Sequence, residues 1–74
     1  DVAAALKGRR RAYFAEASDF VDTPVYDRYA LAPGTAFDGP AIVEERESTA
    51  VLGPGARCRV DESRLLVVEM PWTR

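Results

Sequence analysis

The rhythm of apolar and polar positions changes after Gly8. Before it, Asp1 can cap a helix that runs through Val2, three alanines, Leu6 and Lys7, with Gly8 as its stop, so about two helical turns are expected. A helix that short is poorly stable alone. Residues 1–10 are therefore read as an N-terminal helical segment, either packed on the rest of the domain or continuing the end of a preceding one. Beyond it the pattern is that of strands. Arg11 to Ala15 is a short β-type run, and Phe20 to Thr23 leads through Pro24 to Val25 to Tyr29. Proline cannot donate to a ladder, so this second stretch is expected at a sheet edge or as two strands with a bend.

Turns then follow in quick succession. Leu31-Ala32-Pro33-Gly34 presets the second turn position with proline and leaves glycine free for positive φ at the next. Phe37-Asp38-Gly39-Pro40 is a second turn signal. Ala41 to Glu44 and Ser48 to Leu52 are β-rich runs joined by the charged corner Glu45-Arg46-Glu47, and Gly53-Pro54-Gly55 closes the second run. Arg57-Cys58-Arg59-Val60 alternates with period two, which predicts Cys58 and Val60 buried and both arginines in solvent. Leu65 to Val68 is apolar on both faces, as in a strand covered on both sides or one that docks on another domain. The sum is an all-β domain over residues 11–74, a small barrel or sandwich of five to seven short strands with a short N-terminal helix.

Composition sets the limits of this picture. At 74 residues the chain is one domain, too small for a cleft between two lobes, and a domain of this size buries only roughly 60% of its unfolded surface. Its 47% hydrophobic share is enough for a small core. The net charge of −2 is uneven. Lys7, Arg9, Arg10 and Arg11 make the first eleven residues basic, and the remainder is acidic, which argues against a binder of nucleic-acid phosphates. No apolar run approaches the roughly 18 residues of a membrane span. One cysteine cannot close an internal disulfide, and this points to a reducing, cytoplasmic setting.

Candidate chemistry is thin. The chain has no histidine, so Ser18, Ser48, Ser63 and Cys58 lack the usual base of a nucleophilic site, and one cysteine with scattered carboxylates makes no tetrahedral metal site. Cys58 is read as an inert core thiol. Glu44, Glu45 and Glu47 could be paired carboxylates, but a solvated acidic corner accounts for them, with partner contact as the next reading. Asp22, Asp27 and Arg28 around Tyr26 suggest a surface ion-pair network. The one lysine, Lys7, lies in the expected helix instead of at a hairpin tip, against a carrier of biotin or lipoate. Gly53-Pro54-Gly55 lacks the lysine and helix of a phosphate loop. No catalytic, cofactor-binding or metal-binding residue is assigned. Aromatic and apolar residues remain, and Tyr26, Tyr29, Leu65, Val67 and Trp72 are the candidate docking surface, with Tyr13 and Phe14 beside them as core or docking residues.

The order of these pieces is specific. Arg11-Ala12-Tyr13-Phe14, Thr23-Pro24-Val25-Tyr26-Asp27-Arg28, Leu31-Ala32-Pro33-Gly34, then Gly39-Pro40-Ala41-Ile42-Val43-Glu44, Ser48-Thr49 and Pro54-Gly55 succeed one another over about residues 7–69. This resembles the C-terminal domain of the hydantoinase A and 5-oxoprolinase family, which includes subunits of acetone and acetophenone carboxylases. The resemblance implies a non-catalytic accessory domain, serving structure and subunit docking, of an ATP-dependent cyclic-amide hydrolase or related carboxylase. It further implies that ATP and a divalent metal are used by the larger protein, whose nucleotide site lies upstream, and that a hydantoinase B-type subunit is a partner. The chain departs from the family pattern in having Ala56 where an aromatic often follows the Pro-Gly, and Glu62-Ser63-Arg64 where a Gly-Asn turn is common. The rival reading is a free-standing interaction module that binds another protein through its acidic hairpin.

Overall fold

A computed structural model describes residues 2–69 of the chain. Among them are seven strands: β1 (Leu6–Phe14), β2 (Asp19–Asp27), β3 (Ala36–Asp38), β4 (Ala41–Glu44), β5 (Thr49–Leu52), β6 (Arg57–Val60) and β7 (Leu66–Glu69). They form a four-stranded sheet in the order β1-β2-β4-β5 and a three-stranded sheet in the order β3-β6-β7. The β2–β4 pair is parallel and every other pair is antiparallel. The protein is thus a small all-β domain, as its turn spacing predicts.

The expected N-terminal helix is mostly absent. Within this segment helical backbone is confined to a 3-10 turn over Val2–Ala5, and the chain is already in β1 from Leu6. Asp1, proposed as its cap, lies outside the described residues. Strand pairing with β2 outweighs the weak helix preference of a few alanines: Gly8 pairs with Val25 and Arg9 with Pro24, so the glycine continues a ladder instead of ending a helix. Ala5 still enters the core, so the short turn anchors the start of the chain.

Pro24 is not on the edge strand of its sheet. β2 is a single strand between β1 and β4, but β4 pairs with it only from Val25 to Asp27. The proline lies one residue ahead of that parallel ladder, in a stretch with a neighbour on one side only, which makes its missing donor tolerable.

The turns behave as their residues require. Gly34 takes φ +89° and Gly55 φ +87°. At the first of these turns the Thr35 N–H donates to the Ala32 carbonyl at 3.1 Å, while Gly34 N–H and Val60 N–H donate to Val60 O and Thr35 O respectively, tying the turn to β6. Gly39 faces a different demand. A β-carbon there would stand 2.0 Å from the Gly53 carbonyl oxygen, so the two loops approach as only glycine allows.

The core lies between the sheets. Leu31, Phe37, Ala41, Val43, Leu52, Ala56, Cys58 and Val60 are buried together with Ala5, and Tyr26 and Leu66 pack against them. Cys58 and Val60 are inside and Arg57 and Arg59 outside, as the alternation of β6 requires. The rings of Tyr26 and Phe37, one from each sheet, meet at a centroid distance of 5.1 Å. Thr23, fully buried, donates its hydroxyl to the Val21 carbonyl at 2.8 Å, so its polar atom is satisfied.

Candidate docking surface

Asp27 ends β2 and caps the 3-10 turn Arg28–Ala30 by accepting the Tyr29 N–H at 3.0 Å. That turn throws the Tyr29 ring outward, where it is 60% exposed. Its hydroxyl oxygen accepts the Arg46 N–H at 3.1 Å from the corner between β4 and β5. Arg28 donates Nε to Glu45 at 3.1 Å and Nη2 to the Arg64 carbonyl, while Arg64 donates Nη2 to the Tyr29 carbonyl at 3.2 Å. Two arginines therefore cross-link the 3-10 turn to the loop that precedes β7.

That loop is built on Asp61, whose Oδ1 accepts the N–H groups of Ser63 at 2.8 Å and Leu65 at 2.9 Å. Arg64 sits at φ +68°, a conformation costly for a residue with a β-carbon and the place where a Gly-Asn turn would be easy. The outcome is that Leu65 is held out in solvent, 60% exposed, and lines a shallow groove with Arg28, Tyr29, Glu45 and Arg64.

The five candidate docking residues separate accordingly. Tyr29 and Leu65 are brought together at this groove. Tyr26 is half-buried against Phe37 and belongs to the core side of β2. Val67 is half-buried and pairs with Arg59 at the outer strand of the smaller sheet. Trp72 lies outside the described residues. The apolar run Leu65 to Val68 is not covered on both sides: β7 is an edge strand with Leu66 against the core and Val68 partly exposed. Sequence reasoning missed Arg28 and Arg64 as the residues that shape the groove, because their partners lie 17 to 36 positions away.

The acidic corner is partly neutralised. Glu44 accepts Lys7 Nζ at 2.8 Å and Arg10 Nη2 at 2.7 Å, which hold its carboxyl below the ordinary carboxylate range. The same hydrogen bond, with the attraction of the carboxylate, raises the Lys7 pKa. Glu45 is taken by Arg28 and by the Ser48 hydroxyl at 3.1 Å. Asp22 pairs with Arg9 at 2.7 Å, so the expected network around Tyr26 is several separate contacts. Burial pushes the Cys58 thiol up, away from the reactive thiolate. Among the described residues no cluster of three or more His, Cys, Asp or Glu side chains is placed to hold a metal ion. Gly53 to Ala56 closes as a turn, with the Ala56 N–H donating to Gly53 O at 3.2 Å instead of opening toward a phosphate. No helix among the described residues is long and apolar enough to cross a membrane.

Comparison with known proteins places this geometry. The model of the hydantoinase/oxoprolinase C-terminal domain matches residues 2–70. The chain belongs to that family. It is 41% identical over 69 residues to the acetophenone carboxylase gamma subunit of Aromatoleum aromaticum, covering 93% of this chain and 9% of that protein. Two solved structures superpose on the domain with TM-scores of 0.81 and 31% identity. One is acetone carboxylase in a nucleotide-free state, described under ATP-dependent acetone carboxylation, with 88% of this chain and 9% of that one covered. The other is the ATP-dependent caprolactamase of Pseudomonas jessenii, with 92% and 10% covered. The chain spans about a tenth of the length of the curated relatives it matches.

Proposed function

We propose that this family member is a non-catalytic accessory domain of an ATP-dependent hydantoinase/oxoprolinase-type amidohydrolase or a related carboxylase subunit, serving structure and subunit docking. One observation carries the reading: nearly the whole chain aligns with about a tenth of much longer chains, namely an acetophenone carboxylase subunit, an acetone carboxylase and an ATP-dependent caprolactamase. Its own side chains add support, since the polar contacts described are ion pairs, caps and turns. ATP and a divalent metal would be held by the rest of the larger protein. A hydantoinase B-type subunit is the expected partner, and the Tyr29–Leu65 groove is the part of the proposed docking surface that presents exposed apolar area. A cytoplasmic setting belongs to the same reading, supported by the free, buried thiol of Cys58.

The test is to delete the domain from the full-length protein, then measure ATP binding, assembly with the partner subunit and turnover of a hydantoin, a lactam or a ketone. Retained ATP binding with lost assembly supports an accessory role. Loss of nucleotide binding, or turnover by the 74-residue chain alone, refutes it.

A further inference from the structure

The β1–β2 hairpin extends beyond the rest of its sheet. β1 and β2 pair from Leu6–Tyr26 to Phe14–Asp19, but β4 joins β2 only at Val25 to Asp27, so the outer two-thirds is a two-stranded ribbon. Its two faces differ, although Arg10 and Asp19 are exposed on the more buried one. Phe14, Thr23 and Val25 are buried on one, whereas Arg9, Arg11, Tyr13, Phe20 and Asp22 are exposed on the other. A face turned to water is normally polar. This one carries two aromatic rings, Tyr13 at 58% and Phe20 at 54% exposed, directly opposite each other in the register. Their centroids are 5.5 Å apart in an edge-to-face arrangement, and the Arg11 guanidinium lies 5.2 Å over the Phe20 ring.

Charge on this face is unbalanced. Asp22 is taken by Arg9, while among the described residues no carboxylate pairs with Arg11. Aromatic residues and arginine are enriched at the buried centres of protein interfaces. A complementary surface would offer an apolar seat rimmed by carboxylates.

We infer that the exposed hairpin face formed by Arg11, Tyr13 and Phe20 docks on a carboxylate-rimmed apolar surface of the same polypeptide, outside the 74 residues. This rests on the proposed accessory role. In the two solved relatives the fold is a tenth of a longer chain, so a surface within that chain meets the hairpin at an effective concentration in the millimolar range, above that of a second copy or a separate subunit.

A photoreactive phenylalanine analogue at Phe20 of the full-length protein tests this, with cross-links mapped by mass spectrometry. The expected product is an intramolecular cross-link to an acidic, apolar segment outside this domain. Arg11→Glu should lower its yield about tenfold, while Arg59→Glu, on the outer face of the other sheet, should leave it unchanged. Both variants should keep the parent melting temperature, because both side chains are exposed. Cross-links to another subunit, to a second copy, or to nothing overturn the inference. If the analogue at Leu65 captures the larger enzyme and the one at Phe20 does not, the accessory reading stands and the hairpin assignment falls. If neither does, both fall.

Discussion

Replacing Gly39 by alanine should remove a large share of the domain's stability. The added β-carbon would lie 2.0 Å from Gly53 O, 3.0 Å from Gly53 C and 3.3 Å from Leu52 O, all backbone atoms. No rotamer can relieve this, so the loops must part by more than an ångström. That movement strains the Gly39 N–H bond to Ala56 O, 2.7 Å long, and the Ala56 N–H bond to Gly53 O. Two hydrogen bonds at about 1 kcal/mol each and about 1 to 3 kcal/mol of overpacking strain give a loss of about 3 to 5 kcal/mol. A domain of this length has a total stability of roughly 4 to 11 kcal/mol. Urea unfolding followed by circular dichroism would register the change as a fall of the midpoint by about 3 M or more, with m near 1 kcal/mol/M. Gly8→Ala is the control, because nothing lies within 4 Å of a β-carbon there, and its midpoint should move by less than about 0.5 M. A shift under about 1 M for Gly39→Ala, or equal shifts for the two, would refute the close-approach reasoning.

The remaining expectations concern the tyrosines, the Glu44 ion pairs and the thiol. Tyr26→Ala removes a half-buried ring from the contact between sheets and should cost about 2 to 3 kcal/mol, whereas Tyr29→Ala should change stability by less than about 1 kcal/mol, both read by urea unfolding. Glu44 has a lowered folded pKa, so its stabilisation is present above the unfolded carboxyl value and is lost as pH falls through the folded one. Lys7 has a raised pKa, so its share is present below the unfolded lysine value and is lost as pH rises through the folded one. Melting temperatures across pH should show Glu44→Gln removing part of the acid-side slope, and an unchanged slope would argue against the pairing. Cys58 should resist alkylation at neutral pH in the folded protein and react once urea unfolds it; rapid modification without unfolding would contradict its burial.

How much of this was legible in the sequence depends on the range over which each residue finds its partner. Turns are local, so Pro33-Gly34 and Pro54-Gly55 announced themselves, and the alternation of Arg57 to Val60 fixed which side of β6 is buried. β1 was only half visible. Its segment Lys7 to Arg11 is solvent-exposed, and a strand exposed on both faces carries no period-two signal to set against a run of alanines. Glu44 gave no local sign of its partners, because Lys7 and Arg10 are 37 and 34 residues away. Tyr26 and Tyr29 are three positions apart and look alike, yet the strand ends at Asp27, and only the cap made there turns the second ring out.

The loop before β7 shows how a departure from a family pattern can be compatible with the same fold. Where a Gly-Asn turn would take positive φ freely, this chain places Arg64 at φ +68°, at a backbone cost of roughly 1 kcal/mol. The offsetting contacts are the Arg64 side chain on Tyr29 O, its own carbonyl on Arg28, and its N–H on Asp61 O. Glycine at this position would relax the backbone but lose the guanidinium that ties the loop to Tyr29. The arginine therefore stiffens the groove in which Tyr29 and Leu65 are exposed, and a surface pre-ordered in this way loses less entropy on docking than a mobile one.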